Sequence, residues 1–383
     1  MSQEKKRLGL YLHIPFCLRK CLYCDFYSAP ADAEARSAYA RALSRHLAAL
    51  AERAEGYVVD TVYFGGGTPN LLSPQDFALI LDTLRRHYIL QDGVEITAEA
   101  NPVAADGERL AAMREAGVNR LSLGLQSTHS QELEALGRLH SYATFCDAFS
   151  AARSAGFSNI SVDLMMGIPH QTPDSLRTSL ERVTALSPEH LSVYGLRVEE
   201  GTPFARMHLA LPDEDSECEM AELVADFLRE RGYCHYEISN FAREGFASRH
   251  NLRYWLGEAY LGFGPGAHSF FEGVRFETPA DTAAYLSAVA DGRYTDLAQN
   301  CTRIGCNEQI DEYVMLRMRL AEGVRFADFS HRFGIFFEDR YPINPLWVSG
   351  GFLKKSPHGV AFTEKGMRVS NAILAEWLDF SKE

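Results

Sequence analysis

Residues 8–26 read LGLYLHIPFCLRKCLYCDF, an apolar segment that runs directly into a loop with three cysteines. The apolar part has the length of a buried β-strand. Cys17, Cys21 and Cys24 follow with the spacing C-x3-C-x2-C, and no fourth cysteine stands close by. A structural zinc site takes four ligands, and a four-iron cluster commonly takes four cysteines. The stretch therefore predicts a strand that carries a metal site with one coordination position unaccounted for.

The spacing of the cysteines leaves three interpretations open. Three thiolates can hold three irons of a cubane cluster, and the fourth iron is then free to bind atoms of a second molecule. Zinc is the alternative metal, with His13 or a distant histidine as the fourth ligand. The plainest alternative is three thiols that pack in a core. Spacing alone favours the iron–sulfur cluster over zinc, and zinc over packing.

Composition and charge narrow the class of protein. The 383 residues suit one large domain with one or two smaller parts. A net charge of −13 argues against binding to nucleic acid or to an anionic membrane surface. The sequence shows no signal-peptide pattern and no apolar run long enough to span a membrane. Eight cysteines without an export signal indicate a reducing compartment, so we expect a cytoplasmic protein.

Six apolar segments alternate with amphipathic segments over the first 200 residues. Each strand-then-helix unit needs a crossover, so the pattern predicts a parallel α/β sheet, either open and doubly wound or a partial barrel. In both arrangements the loops after the strands meet at one mouth, and the cysteine loop is one of these loops. The predicted strands are 8–14, 60–66, 94–100, 120–126, 160–166 and 190–196.

Polar residues follow the other strands at the same predicted mouth. Glu99, Gln126 and Asp163 end the third, fourth and fifth strands, and Arg138 lies a little beyond the fourth. Two carboxylates, an amide and a guanidinium would match the charged and hydroxyl groups of an amino acid that carries a ribose. The glycine-rich GGGTP at 65–69 gives a ligand access to the backbone, or merely forms a tight strand–helix turn.

Two further features lie beyond residue 200. HNLRYW at 250–255 reads either as a helix start with aromatic core residues or as a site for a flat aromatic ligand. In the second case His250 would be an axial metal ligand and Arg253 would bind a carboxylate. From about residue 306, helices and a small hairpin, GFLKKSPHGVAF, resemble a winged-helix module, although the acidic composition argues against DNA binding.

Together these motifs resemble the radical S-adenosylmethionine (SAM) superfamily. YLHIPFCLRKCLYCDF, GGGTP, the strand-end Glu99, LGLQS and DLMMGIPHQT are similar to the branch that contains oxygen-independent coproporphyrinogen III oxidase and the HemW-type haem chaperones. The resemblance implies an α/β fold, an incomplete (β/α)6 radical-SAM barrel with a C-terminal α+β, winged-helix-like region. We expect a radical SAM core over 1–235, a linker region with HNLRYW over 236–300 and a HemN-type domain over 301–383.

The resemblance also implies cofactors and the residues that hold them. A [4Fe–4S] cluster would be bound by Cys17, Cys21 and Cys24, with SAM on its open iron. In the family, reduction of the cluster cleaves SAM to methionine and a 5′-deoxyadenosyl radical. The residues implied around SAM are Tyr11, Gly67, Thr68, Pro69, Glu99, Gln126, Arg138, Asp163 and Gly195.

One position separates the two branches of the family. The oxidase typically continues the motif as C-x3-C-x2-C-x-C, whereas the residue two beyond Cys24 here is Phe26. CDF resembles the HemW type, in which HNxxYW is associated with haem. We therefore expect a haem chaperone with His250 at the haem. Its partners would be an acceptor haem protein, including membrane-associated ones, and a low-potential electron donor, but no nucleic acid.

Three alternatives to the chaperone stay open at this stage. The first is the coproporphyrinogen III oxidase itself, the second is a radical SAM enzyme acting on another tetrapyrrole, and the third is a binding module without radical chemistry. The sequence assigns no catalytic residue to any of them.

Overall fold

The computed structural model describes residues 5–378 of the chain, and six parallel strands form its centre. These strands pair in the order of the sequence, and within the described residues the first and the sixth are not paired with each other. This open parallel core confirms the incomplete barrel and all six predicted strands. Their bounds are β1 Lys6–Ile14, β2 Tyr57–Gly66, β3 Leu90–Ala100, β4 Arg120–Gln126, β5 Ile160–Met166 and β6 His190–Gly195.

Six helices accompany the parallel strands and bury their apolar faces against them. In the second helix the Ser73 side chain accepts from the Asp76 N–H while Asp76 bonds back to Ser73, and Pro74 occupies the first helical position. This reciprocal capping depends only on residues 73–76, so the start of that helix can be predicted from the local sequence. The helices are α1 Ala33–Leu50, α2 Pro74–His87, α3 Gly107–Ala116, α4 Ser130–Ala135, α5 Tyr142–Ser154 and α6 Pro173–Ala185.

After β6 the chain extends the sheet at both edges. The elements in order are α7 Glu214–Glu230, β7 Cys234–Glu237, β8 Asn240–Ala242, α8 Arg249–Trp255, β9 Tyr260–Phe263, β10 His268–Phe271, β11 Val274–Glu277, α9 Thr282–Ala290 and β12 Gln299–Arg303. β8 pairs antiparallel with β6, and β9 pairs parallel with β1, which gives one sheet of 12 strands. The segment 236–300, expected to be a linker, thus contributes strands to the main sheet. Strands of three or four residues are too short to show a period in the sequence.

The C-terminal part has a small sheet and an apolar core of its own. Its three strands pair antiparallel in the order β13–β15–β14, and the predicted hairpin is β14–β15. Two helices that meet at Val369 end the described part, and residues 379–383 lie outside it. The elements are α10 Cys306–Arg317, β13 Val324–Arg325, α11 Phe326–Phe333, α12 Phe337–Arg340, α13 Pro345–Ser349, β14 Leu353–Ser356, β15 Gly359–Phe362, α14 Glu364–Arg368 and α15 Ser370–Trp377.

Backbone hydrogen bonds tie this C-terminal part to the sheet. The Ile238 N–H donates to the Arg319 carbonyl at 3.0 Å, and the Ala321 N–H donates to the Tyr236 carbonyl at 3.0 Å. The end of α10 therefore lies against β7 and β8. Among residues 5–378, no helix is both long and apolar enough to cross a membrane.

A buried ion pair fixes α8, the helix of HNLRYW, to the parallel core. Arg253 pairs with Asp60 on β2, and the two side chains are only 2% and 5% exposed. Gly9 on β1 leaves the room that the Arg253 side chain fills, because a Cβ at residue 9 would collide with it. The ligand carboxylate expected at Arg253 is thus replaced by a carboxylate of the protein itself.

We expect Asp60→Ala to destabilise the protein by about 3 kcal/mol, because Arg253 would stay buried with only the partly exposed Glu258 as a counter-charge. The matched control is Asp226→Ala, which removes an ion pair with Arg229 in which both side chains are more than half exposed. That loss should cost at most about 1 kcal/mol. Urea unfolding followed by circular dichroism measures both variants, and equally small losses would contradict the anchoring role of Asp60.

Candidate functional site

A cavity of about 570 Å³ opens at the C-terminal ends of the parallel strands, where the predicted mouth lies. This volume is within the range of small-molecule sites. The cavity wall includes the three motif cysteines and seven of the nine residues expected around SAM: Gly67, Thr68, Glu99, Gln126, Arg138, Asp163 and Gly195. Pro69 is buried at the start of a short 3₁₀ turn, and Tyr11 lies behind the wall, stacked on Tyr63 at 6.2 Å.

Polar neighbours hold the cysteine loop in place. The Thr68 hydroxyl donates to the Cys17 sulfur at 3.5 Å, and the Arg138 guanidinium donates to the Cys21 sulfur at 3.4 Å. The thiolate is the form that binds metal, and a sulfur with bound metal can still accept such hydrogen bonds. Burial raises the pKa of Cys24 to about 11, so the third thiol is protonated when no metal is bound. Three thiols around one cavity, with a cationic neighbour, fit a cluster.

The donor set fits zinc less well. His13, the candidate fourth ligand, has both ring nitrogens engaged, Nδ1 at 3.1 Å from the Tyr11 hydroxyl and Nε2 at 2.8 Å from the Tyr27 carbonyl. Across the described residues, no group of three His, Cys, Asp or Glu side chains is arranged to hold a metal ion. A cubane cluster spreads its irons over separate thiolates, so it does not require the cysteines to converge on one ion.

The glycine-rich loop packs directly on the cysteine loop. A Cβ at Gly67 would lie 2.5 Å from the Phe16 carbonyl oxygen and 2.8 Å from that of Ile14. The Thr68 N–H donates to the Phe16 carbonyl at 2.6 Å. Gly67 is therefore needed for the close approach of two backbones. The tight-turn interpretation explains this glycine, although Gly67 and Thr68 also face the cavity.

Two carboxyl groups in the cavity wall have pKa values above the usual range. Glu99 accepts from the Tyr63 hydroxyl at 2.9 Å and from the Gly66 N–H at 3.2 Å. Burial, and then the nearby charge of Asp163, raise the pKa of Glu99 to about 7. Burial also raises the pKa of Asp163, which accepts from the Ser122 hydroxyl at 2.9 Å. A ligand ammonium or hydroxyl group would relieve the repulsion between these carboxyls.

The end of β4 is shaped to aim side chains into the cavity. Gln126 has φ +72°, a left-handed conformation that a residue other than glycine seldom adopts. The pairing of β4 with β5 shifts register between Gly124 and Gln126, which accommodates this turn of the chain. The Arg138 guanidinium donates to the Gly124 carbonyl at 2.6 Å. The end of β4 therefore positions both Gln126 and Arg138. Strain of this kind is typical of functional sites.

Several residues of the wall escape the sequence analysis. Arg120 is the first residue of β4, and Ser122 and Tyr63 stand inside β4 and β2, so none of the three is at the C-terminal end of its strand. Arg120 is only 2% exposed, and its Nε finds no hydrogen-bond partner among the described residues. The available signal was the alternation of these polar residues with Leu121 and Leu123, which marks a polar face inside the barrel.

HNLRYW places His250 away from the cavity. Its Nδ1 lies 2.9 Å from the Thr61 hydroxyl and its Nε2 lies 2.9 Å from the Tyr254 hydroxyl. The ring is buried, and burial lowers the pKa of His250 to about 3, so it is neutral. In this arrangement neither nitrogen is free for iron. Haem ligation by His250 stays a prediction, and it requires the ring to give up Thr61 or Tyr254.

The raised pKa of Glu99 makes a prediction for the metal-free protein. Between pH 4.5 and 7 the folded state keeps a proton that the unfolded chain has lost. The free energy of unfolding therefore falls as the pH rises through this window, by about 3 kcal/mol in total. Glu99→Gln removes this loss, so the variant should gain stability over the parent at pH 8 and match it near pH 4.5.

Thermal or urea unfolding at both pH values measures the difference. Glu34→Gln, on the exposed side of α1, is the control that should follow the parent at every pH. A constant difference between Glu99→Gln and the parent would show that Glu99 ionises normally.

Comparisons with known proteins bear on the whole chain. The model of the Radical SAM superfamily matches residues 11–183, and that of the HemN C-terminal domain matches residues 307–369. The heme chaperone HemW of Bacillus subtilis is 34% identical over 96% of this chain and 98% of that protein. The heme chaperone HemW of Escherichia coli is 33% identical over 97% of this chain and 98% of that protein.

A solved structure shares the fold. Coproporphyrinogen III oxidase (HemN) from Escherichia coli, described as a radical SAM enzyme, matches with a TM-score of 0.85 over 97% of this chain and 89% of that chain. At 23% identity this likeness shows the fold alone. The similarity to the HemW proteins is closer in sequence and equally complete in length. The chain therefore belongs to the HemW family within the radical SAM superfamily.

Proposed function

We propose that this protein is a haem chaperone, which binds haem and passes it to an acceptor haem protein. The observation that carries the proposal is the similarity over nearly the full chain to proteins named heme chaperone HemW. Phe26 supports it, because this residue stands where the oxidase pattern has a further cysteine. Phe26 lies in the wall of the cluster cavity and is 67% exposed.

The barrel is proposed to hold a [4Fe–4S] cluster together with SAM. Cys17, Cys21 and Cys24 would bind the cluster, and Thr68 and Arg138 would donate to the sulfurs as they do in the structure. Glu99, Gln126, Asp163 and Gly195 would orient SAM, with Tyr11 and Pro69 supporting the wall from behind. When bound, the cluster supplies one-electron chemistry. A low-potential electron donor, a membrane-associated acceptor and a cytoplasmic location belong to the same proposal.

Loss of a single cluster cysteine tests the metal site. After anaerobic reconstitution we expect about four irons per chain in the parent and the loss of most of this iron in Cys21→Ala, because no other described thiol replaces Cys21 in the cavity wall. Cys218→Ala is the matched control, since Cys218 is exposed on α7 away from the motif. Iron and sulfide analysis reads out both variants, and a full cluster in Cys21→Ala would refute the assignment.

The second candidate function is coproporphyrinogen III oxidation, which the shared fold with HemN favours. We expect the reconstituted protein to bind haem but to leave coproporphyrinogen III unchanged in the presence of SAM and a low-potential reductant. Haem titration and porphyrin analysis by chromatography measure the two properties on one preparation. Formation of protoporphyrinogen would make the protein an oxidase in spite of Phe26, and absence of haem binding would contradict the chaperone.

A further inference from the structure

A second and larger cavity, of about 940 Å³, lies between the barrel and the C-terminal part. Its walls come from the end of β6, the helix α7, the β7–β8 turn, the last residue of α8 and the helices α10, α14 and α15. Tyr194, Gly195 and Arg197 line both this cavity and the cluster cavity. The two spaces are therefore neighbours with a common wall. We call the larger space the interdomain cavity.

Each carboxylate of the interdomain cavity already forms an ion pair with an arginine. Glu222 pairs with Arg368 at 2.8 Å, and Glu364 pairs with Arg229 at 2.9 Å. Asp226 also pairs with Arg229. Each of the three acids therefore has an arginine partner, and in none of them is that partner Arg197 or Arg319.

Two arginines in the same wall have no counter-charge. Among residues 5–378, Arg197 and Arg319 form no ion pair, and Arg319 donates only to the neutral Ser370 and Asn371 side chains. Both guanidinium groups line this one cavity, and burial and then the positive charge of Arg197 lower the pKa of Arg319. An anionic group between them would remove this repulsion and make charge-assisted hydrogen bonds to both.

The rest of the wall is largely apolar and aromatic. Trp255, Phe241 and Leu316 contribute to it, and the His235 ring stacks on Phe241 at 4.1 Å. His235 makes a single side-chain hydrogen bond within the described residues, a long one of 3.4 Å to the Ile238 carbonyl. His235 and the thioethers of Met166 and Met315 are side chains in this wall of the kinds that ligate haem iron.

The helix α8 connects HNLRYW to both cavities. Asn251 lines the cluster cavity and Trp255 lines the interdomain cavity. These residues are four apart, so they lie on one face of the helix. The buried His250 and Arg253 hold the helix to β2 on its other side. The ring that HNLRYW presents to the larger cavity is therefore that of Trp255.

We infer that the interdomain cavity is the haem site, with Arg197 and Arg319 binding the two propionate carboxylates and Trp255 packing against the porphyrin. This inference rests on the proposed chaperone function. An amphipathic dianion with a flat apolar body matches a cavity with apolar and aromatic walls and two guanidinium groups that form no ion pair among the described residues. Haem bound there would share the wall formed by Tyr194, Gly195 and Arg197 with SAM and the cluster.

The test compares haem with haem dimethyl ester, which lacks the free carboxylates. Arg197 is exposed and makes no side-chain hydrogen bond in the described structure, so we expect Arg197→Gln to keep the fold. We expect this variant to bind haem at least about tenfold more weakly than the parent, because it loses a charge-assisted contact. The ester should bind to parent and variant equally. Titration followed by the Soret band of haem measures all four affinities.

Two controls make the outcomes distinct. Arg206→Gln, an exposed arginine of the loop after β6 that is outside both cavity walls, should bind haem like the parent. Equal haem affinity of Arg197→Gln and the parent would overturn the site while the chaperone function stands. Haem binding abolished in His250→Ala but unchanged in Arg197→Gln would move the haem to the buried side of α8. Absence of haem binding in the parent would overturn the function and the site together.

Discussion

The register of the parallel strands is the constraint on which the site depends. β1 pairs with β2 so that Ile14 stands beside Gly66, which places the cysteine loop next to GGGTP. Further along the sheet, Glu99 on β3 stands beside Ser122 on β4, and Gly124 stands beside Asp163 on β5. A slip by one residue would turn these side chains to the other face of the sheet. Loops far apart in sequence thus form one cavity, because the register aligns the C-terminal ends of neighbouring strands at the same edge of the sheet.

Local chemistry explains why much of this could be predicted. The six long strands and the capped start of α2 are encoded in short stretches of sequence, and the cysteine spacing marks one loop as special. Parallel topology then brings the strand ends together, so seven of the nine expected SAM residues reach one cavity. The residues that escaped prediction have partners far away in sequence. Arg120 stands at the start of β4, far along the chain from the cysteine loop, and the partners of His250 include Thr61 on another element.

HNLRYW shows the limit of reasoning from a motif alone. The six letters suggested one ligand site, with His250 and Arg253 as the chemically active members. In three dimensions the helical period places the six residues on different faces of α8, because only residues three or four apart share a face. The two residues with the most reactive side chains anchor the helix, because Arg253 pairs with Asp60 and His250 contacts Thr61. Asn251 and Trp255 line the cavities instead. Which face is buried depends on β2, and a single motif does not contain that information.

The charge of the whole chain gives a similar lesson. A net charge of −13 argues against a broad anionic partner, yet it does not describe the field inside one cavity. In the interdomain cavity each acid already pairs with an arginine, whereas Arg197 and Arg319 form no ion pair among the described residues. An acidic exterior repels extended polyanions at long range, and the two arginines act only on a small anion that has entered the cavity. A net negative charge over the whole chain is therefore compatible with a local site for a small dicarboxylate.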